Sequence, residues 1–264
     1  MTALRALIRK EAAVLFGSPV AYLTLAMVGI VTALVFFDHL RVYNQTLFVW
    51  SSSTMGGFET DTIPDYINLR VLVFLPVMEQ LALMLIGLVP LVTMRVFAEE
   101  RARGTDELLI TTQLSSGRIV AGKFIVAYAL VALMLAVSFV YPATSIVTAG
   151  LGLRHLAAVY TGLLALGLGI ASIGLACSAF TSSQLVAAVS AYAIAFVLYD
   201  FTWATQFLAE QPALASFLDQ LSMHPRFGGF AEGLVAVPDM VYFAGLGAVS
   251  FGLAWLSLDL DRVR

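Results

Sequence analysis

Long apolar runs separated by polar stretches dominate the pattern of hydrophobic and polar positions along the 264-residue chain. A helix needs about 20 predominantly apolar residues to cross a bilayer, and the chain contains six runs of roughly that kind. Backbone polar groups in lipid must be paired, and continuous runs favour helices over the short alternating segments of a β-barrel. The predicted spans cover about residues 18–37, 72–94, 123–148, 156–178, 185–199 and 240–258.

The composition agrees with a protein that uses lipid as much of its solvent. Hydrophobic residues make up 60% of the chain and charged residues 12%, with a mean hydropathy of +0.93; soluble domains are about 25% charged. The net charge of −3 argues against nucleic-acid binding, which requires a basic patch. The single cysteine, Cys177, excludes an intrachain disulfide. We therefore predict one all-α integral membrane domain over residues 1–264.

The distribution of Lys and Arg predicts the orientation. With the N-terminus inside, ten of the 14 basic residues fall in the inner segments and four in the outer ones. An excess of Lys and Arg marks the cytoplasmic side. Both termini are therefore predicted to be cytoplasmic.

Two outer segments are long. Residues 38–69 contain a serine triplet and a glycine pair and are predicted to be a flexible loop. Residues 200–238 keep a helical spacing of apolar positions, which predicts short helices at or dipping into the outer interface; a plain solvated loop is the alternative. The apolar positions are Phe207, Leu208, Leu214, Phe217, Leu218 and Leu221.

A dense run of charged residues follows the second span, over residues 95–109. Glu99 and Arg103 stand four apart, as do Arg103 and Glu107, so a helix lets them pair. Gly104 interrupts the helix, and Thr105 is a good N-cap for a second one. The stretch therefore predicts helix, break, helix. It is either an anchor that fixes topology by the positive-inside rule or a docking surface for a soluble partner.

Glu79 is the candidate intramembrane polar residue, because it lies inside the second apolar run. An ionisable residue at that depth suggests a functional site. The alternative is a span that begins near Leu81 and leaves residues 70–80 at the outer interface.

Three chemical motifs are incomplete. Residues 117–124 resemble a phosphate-binding loop, but the pattern ends in Phe124, which lacks the hydroxyl that binds Mg²⁺, and leads into a span. Lys123 is better explained as an interfacial anchor. The three histidines have no metal-ligand spacing, and no hydrolase motif is present. We therefore predict no catalytic residue, no metal site and no cofactor bound by this chain itself.

Three stretches resemble a known family. Residues 90–109 with Gly122, Lys123 and Phe124, residues 16–22 before the first span, and residues 221–243 before the last span are similar to ABC-2 type transporter permeases, especially the gliding-motility-associated kind. The similarity follows the chain in the right order and is weakest over residues 38–69.

The resemblance implies a six-span, type II exporter-like permease in a bacterial inner membrane. Two such permeases, identical or homologous, would pair, and each would dock a separate ABC ATPase that binds ATP and Mg²⁺. An extracytoplasmic accessory protein is a further implied partner. Residues 1–16 would be an amphipathic interfacial helix, and residues 95–118 a cytoplasmic coupling loop. The implied ATPase-coupling residues are Glu99, Glu100, Arg101, Arg103, Gly104, Thr105 and Glu107.

These features and the resemblance are compatible with three functions. The first is an ATP-driven exporter of a lipid-linked, polymeric or other amphipathic substrate. The second is a non-transporting scaffold of a motility or envelope complex driven by an ATPase partner. The third is a secondary transporter, which needs charged or broken helices at mid-membrane, and Glu79 alone comes near that requirement.

Overall fold

The computed structural model describes residues 2–54, 63–106, 114–149, 152–200 and 212–263, and every regular element in these ranges is helical. One π-helical turn, Arg70–Phe74, leads directly into the third α-helix. The α-helices are α1 (Thr2–Phe16), α2 (Pro19–Thr54), α3 (Leu75–Thr93), α4 (Arg95–Ala102), α5 (Ser116–Ser138), α6 (Val140–Ala149), α7 (Leu153–Ala179), α8 (Gln184–Tyr199), α9 (Pro212–Leu221), α10 (Met223–Ala231) and α11 (Val237–Val263).

Among the described residues, five helical stretches are long and apolar enough to cross a membrane. They are Pro19–Ser52, Arg70–Ala102, Ser116–Ser138, Leu153–Ala179 and Val237–Arg262, and they overlap five of the six predicted spans. The remaining predicted span, 185–199, is the apolar helix α8. Its 16 residues reach about 24 Å at the rise of an α-helix, less than the roughly 30 Å of a bilayer core. The count of six spans therefore stays a prediction.

Helix α2 is much longer than its predicted span. The loop prediction for residues 38–69 is wrong over residues 38–54, which continue α2 without interruption. These residues contain no glycine or proline, so nothing in them terminates a helix that has already formed. The glycine pair on which the loop prediction rested, Gly56 and Gly57, lies outside the described residues.

The third predicted span, 123–148, is also shifted. Helix α5 begins at Ser116, seven residues earlier than predicted, and α6 follows after a break at Phe139. The predicted coupling loop, 95–118, accordingly begins as helix α4 and ends in the first turn of α5. Residues 103–115 connect these two helices, and 107–113 lie outside the described residues.

Helix α7 lies at the centre of the bundle and packs against α3, α5, α8, α10 and α11. Glycines on α7 permit this close approach. A Cβ atom at Gly162 would overlap the side chain of Phe230 on α10, and one at Gly174 would overlap that of Thr93 on α3. Small residues in a membrane helix allow such contacts because van der Waals packing holds these helices together.

The second long segment, residues 200–238, contains helices, as predicted, in the part that the structure describes. Helices α9 and α10 cover residues 212–231, and Met223, Phe227 and Phe230 of α10 are fully buried. Residues 201–211, with the predicted positions Phe207 and Leu208, lie outside the described residues. Helix α10 is therefore part of the core, whereas the depth of α9 in the membrane stays a prediction.

Candidate functional site

One hydroxyl group of the central helix, α7, hydrogen-bonds to the junction between α3 and α4. Ser178 of α7 is fully buried, and its Oγ accepts hydrogen bonds from the backbone N–H groups of Phe97 and Ala98 at 3.0 Å each. The same hydroxyl donates to the carbonyl of Met94 at 2.9 Å. A side chain inserted into the backbone ladder is a known cause of a helix kink. Ser178 thus fixes the position at which α4 departs from α3.

Glu100 on α4 faces inward and joins a buried ionic group. Its Oε2 lies 2.6 Å from Nζ of Lys123 on α5, which is 1% exposed. Nζ of Lys123 also lies 3.1 Å from Oε1 of Glu11 on α1 and donates to the carbonyl of Val96 at 2.8 Å. The three protons of the ammonium group are therefore matched by three acceptors. We call Lys10, Glu11, Glu100 and Lys123 the charge cluster.

Lys10 completes the charge cluster at the surface. Its ammonium group pairs with Glu100 and lies 2.9 Å from Glu11. Burial lowers the pKa of Lys10, but the hydrogen bonds and charges of Glu100 and Glu11 outweigh it, so the pKa lies above its usual value of 10.5. A raised folded-state pKa means that this attraction stabilises the fold at neutral pH and is lost only as the pH rises through that pKa.

Arg101 links α4 to the last helix, α11. Its guanidinium group pairs with Asp261 and donates to Ser257 Oγ at 3.0 Å, both on α11. Ser257 is buried and donates in turn to the carbonyl of Ala179 at the end of α7, at 2.8 Å. Arg101 therefore links α4 to the place where α7 and α11 meet.

The end of α4 is the exposed part of this region. Arg103 is 71% exposed and forms an ion pair with Glu99 one turn earlier, at 2.6 Å, as the spacing predicted. Gly104 adopts a φ of +66°, a left-handed conformation that favours glycine, and ends the helix as predicted. Thr105 donates to the carbonyl of Glu100 at 3.3 Å. We call Arg103, Gly104, Thr105 and Asp106 the α4 tip.

Helix α4 is thus held from three directions and ends in an exposed charged turn. Glu100 connects it to α1 and α5, Ser178 connects it to α7, and Arg101 connects it to α11. These hydrogen bonds and ion pairs, some buried and some partly buried, link α4 to four other helices. A family model for ABC-2 family transporter proteins matches residues 5–227 of the chain, most of its length.

The chain belongs to the ABC-2 transporter family. This family supplies the permease component of ABC transporters and implies an ABC ATPase as a partner. The match includes α1, α4 and the α4 tip, and it ends before α11. A search of curated proteins found no match.

The resemblance predicts a coupling role for seven residues, and the structure describes six of them. Glu100 and Arg101 point into the molecule, with side chains 16% and 20% exposed, and bind α1, α5 and α11. Glu99, Arg103, Gly104 and Thr105 lie at or beside the α4 tip. Glu107 lies outside the described residues. The accessible part of the predicted coupling surface is therefore the α4 tip.

Glu79 is exposed on α3, and the structure does not tie it to the charge cluster. The helical stretch that contains it begins at Arg70, so no break precedes Leu81. Its charge acts on the hydroxyl of Tyr199, the last residue of α8. Glu79 thus lies level with the end of α8, and a functional role for it stays a prediction.

The stretch before the last predicted span that carries part of the resemblance, residues 221–243, has a structural role in this ABC-2 protein. Arg226 of α10 pairs with Asp239 of α11 at 3.1 Å and lies over the ring of Tyr242 at 4.3 Å. Tyr242 in turn donates to the carbonyl of Leu221. These contacts hold α10 against the start of α11.

The sequence argued against a phosphate-binding loop at residues 117–124 and against a metal site at the histidines. Residues 117–124 are helical from the first turn of α5 onward, whereas a phosphate-binding loop requires a turn after a strand. Within the described residues, no group of three or more His, Cys, Asp or Glu side chains could hold a metal ion.

Sequence reasoning missed two direct partners of α4, Ser178 and Asp261. It also missed Glu11, which pairs with Lys123 in the charge cluster. Lys123 was predicted to reach the interface as an anchor, and this is wrong, because its ammonium group is buried seven residues into α5. A signal for Glu11 was present. It is the one acidic residue among the first 37, and it falls on the apolar side of α1, one turn after Leu7.

Proposed function

We propose that this chain is the permease subunit of an ATP-driven exporter and that a separate ATPase chain, which binds ATP and Mg²⁺, docks at the α4 tip. The observation that carries this proposal is that the contacts of Glu100, Ser178 and Arg101 link α4 to four other helices. A purely topological anchor requires basic residues near a helix end. It does not require buried hydrogen bonds and ion pairs to α1, α5, α7 and α11.

The proposed mechanism is a rigid-body movement. Closure of the ATPase around ATP pushes the α4 tip, and α4 carries α1, α5, α7 and α11 with it because each contact is buried or partly buried. Packed helices respond to such a push by moving as units. The spans would then rock and open a path for an amphipathic substrate towards the outer face.

A second permease copy or homologue fits the exposed apolar sides of α2 and α11. Leu34 and Phe37 of α2 are 66% and 60% exposed, and Val241 and Val249 of α11 are 64% and 65% exposed. Such surfaces must be covered by lipid or by another chain. We propose a dimer in a bacterial inner membrane with six spans per subunit, both termini in the cytoplasm and α1 at the inner surface.

Inverting the charge of the α4 tip tests the ATPase docking. In Arg103→Glu, the fold should be preserved, because an exposed pair at this spacing contributes about 0.3–0.5 kcal/mol. Recovery of the ATPase with the tagged permease is expected to fall about tenfold or more, as when an interface charge loses its partner. Co-purification of the two chains from membranes, quantified against permease, is the measurement.

The matched control is Arg154→Glu, the same change at an exposed arginine near the start of α7. This variant should retain the ATPase. Equal loss in both variants, or retention in both, would contradict docking at the α4 tip. An ATPase complex that moves no molecule would favour the scaffold, and substrate movement on an ion gradient without the ATPase would favour a secondary transporter.

A further inference from the structure

A cavity of about 400 Å³ lies beside the charge cluster, between α1, α2, α4 and α5. Pockets that hold small molecules begin at about 300 Å³, whereas one liquid water occupies about 30 Å³. The cavity is therefore large enough for a lipid headgroup. Its lining has a charged part, on α1, α4 and α5, and an apolar part, which on one side consists of residues from α1 and α2.

The charged part contains one basic side chain more than it has acidic side chains to neutralise them. Four basic and three acidic side chains line the cavity. Lys10 and Lys123 pair with Glu11 and Glu100, and Arg103 pairs with Glu99. The fourth basic residue, Arg95, makes no ion pair with a carboxylate among the described residues.

Arg95 also retains an unused hydrogen-bond donor. Its Nη1 donates to Ser18 Oγ at 2.5 Å, but its buried Nε has no partner among the described residues. Leaving a buried donor unpaired is costly, and charged donors cost more than neutral ones. A guanidinium group in this condition is suited to an anion with several oxygens, above all a phosphate or a carboxylate.

The apolar part reaches the surface of the molecule. Val14, Leu15, Val20 and Ala21 form this wall, and Val14 is 56% exposed. The opposite rim is polar and also exposed, at Arg103. An occupant can therefore keep a hydrocarbon chain against α1 and α2 while its charged group lies near Arg95.

We propose that this cavity binds the phosphate group of an anionic membrane lipid, with Arg95 as the anchoring cation and the acyl chain leaving past Val14. A free phosphate compound shares the charged group but leaves the apolar wall uncovered, so the lipid uses both halves of the lining. This proposal goes beyond the permease function and does not require the ATPase to dock.

The test compares two lipids on the purified chain in detergent by native mass spectrometry. The wild-type protein is expected to retain phosphatidylglycerol in preference to phosphatidylcholine. Arg95→Gln should lower this preference about tenfold, the effect of losing one charge-assisted contact. Arg154→Gln, at an exposed arginine remote from the cavity lining, should leave it unchanged. Ser18→Ala should also preserve it, because only the neutral partner of Arg95 is removed.

A second pair of variants tests the proposal independently, in case Arg95→Gln does not fold. Val14 is exposed, so Val14→Asp and Val14→Asn should both fold. A carboxylate at the mouth should repel the phosphate and abolish the preference, while the neutral asparagine should retain most of it. Retention of the preference in both Arg95→Gln and Val14→Asp would overturn the proposal. Displacement of phosphatidylglycerol by an equal concentration of inorganic phosphate would overturn the assignment to a lipid.

Discussion

Replacing Lys123 by Met is expected to destabilise the protein by about 3–5 kcal/mol, the usual effect of removing one partner from a buried ion pair. The substitution preserves most of the side-chain volume, so the loss arises from charge. Glu11 and Glu100 would then face each other with Lys10, whose side chain is 48% exposed, as their remaining cation in the charge cluster. The carbonyl of Val96 would also lose its donor.

Thermal unfolding of the purified protein in a fixed detergent measures this loss. Arg9→Met is the control, because Arg9 is exposed on α1 and its replacement should change stability by less than about 0.5 kcal/mol. Adding Glu11→Gln to Lys123→Met should recover part of the stability, since one unpaired carboxylate is removed. Equal melting temperatures for Lys123→Met and the wild-type protein would show that the charge cluster does not hold α1, α4 and α5 together.

Ser178→Ala is expected to destabilise the junction of α3 and α4 by about 2–4 kcal/mol, because two buried N–H groups would each lose a partner. These groups belong to Phe97 and Ala98, and the carbonyl of Met94 loses a donor as well. We also expect ATP hydrolysis in the assembled complex to become less dependent on substrate, since α4 would no longer be fixed to α7.

The matched control is Ser51→Ala on α2, where the exposed hydroxyl donates to the carbonyl of Phe48 in its own helix. That carbonyl belongs to the helix ladder, so the change should be small. Hydrogen exchange at Phe97 and Ala98 gives the most local measurement. Unchanged protection of these two amides in Ser178→Ala would show that the hydroxyl is not their partner.

Local features of α4 could be predicted from the sequence. The ion pair of Glu99 with Arg103 follows from a four-residue spacing, and the helix break at Gly104 follows from the conformational freedom of glycine. Both depend on residues within one or two turns of each other. Periodicity also indicated a buried side of α1, and Leu7 is indeed buried.

The long-range contacts of α4 and of the charge cluster could not be predicted in the same way. Arg101 and Asp261 are 160 positions apart, and Glu11 and Lys123 are 112 apart. Spacing along a chain carries no information about such contacts until the packing of the helices is known. Hydrophobic periodicity shows that one side of α1 is covered, but not that Leu7 packs at Gly122 of α5.

The error in α2 has a different origin. Serine triplets and polar residues such as Asn44 and Gln45 are common in loops, yet they also continue a helix when no glycine or proline intervenes. The hydroxyls of Ser51 and Ser52 bond carbonyls of their own helix, at 2.9 Å each. A polar stretch beyond a span therefore does not by itself mark the end of the helix.

Site-specific cross-linking tests the central claim, that the α4 tip is the contact through which a separate ATPase moves this permease. Cys177 is the one cysteine in the chain, so a Cys177→Ser background allows a single reactive thiol to be placed by Arg103→Cys or, as the control, Arg154→Cys. The account predicts a covalent adduct with the ATPase from position 103 and none from position 154, with the yield changing when ATP is added. An ATPase complex that hydrolyses ATP yet forms no adduct at position 103, or forms one at position 154, would contradict it.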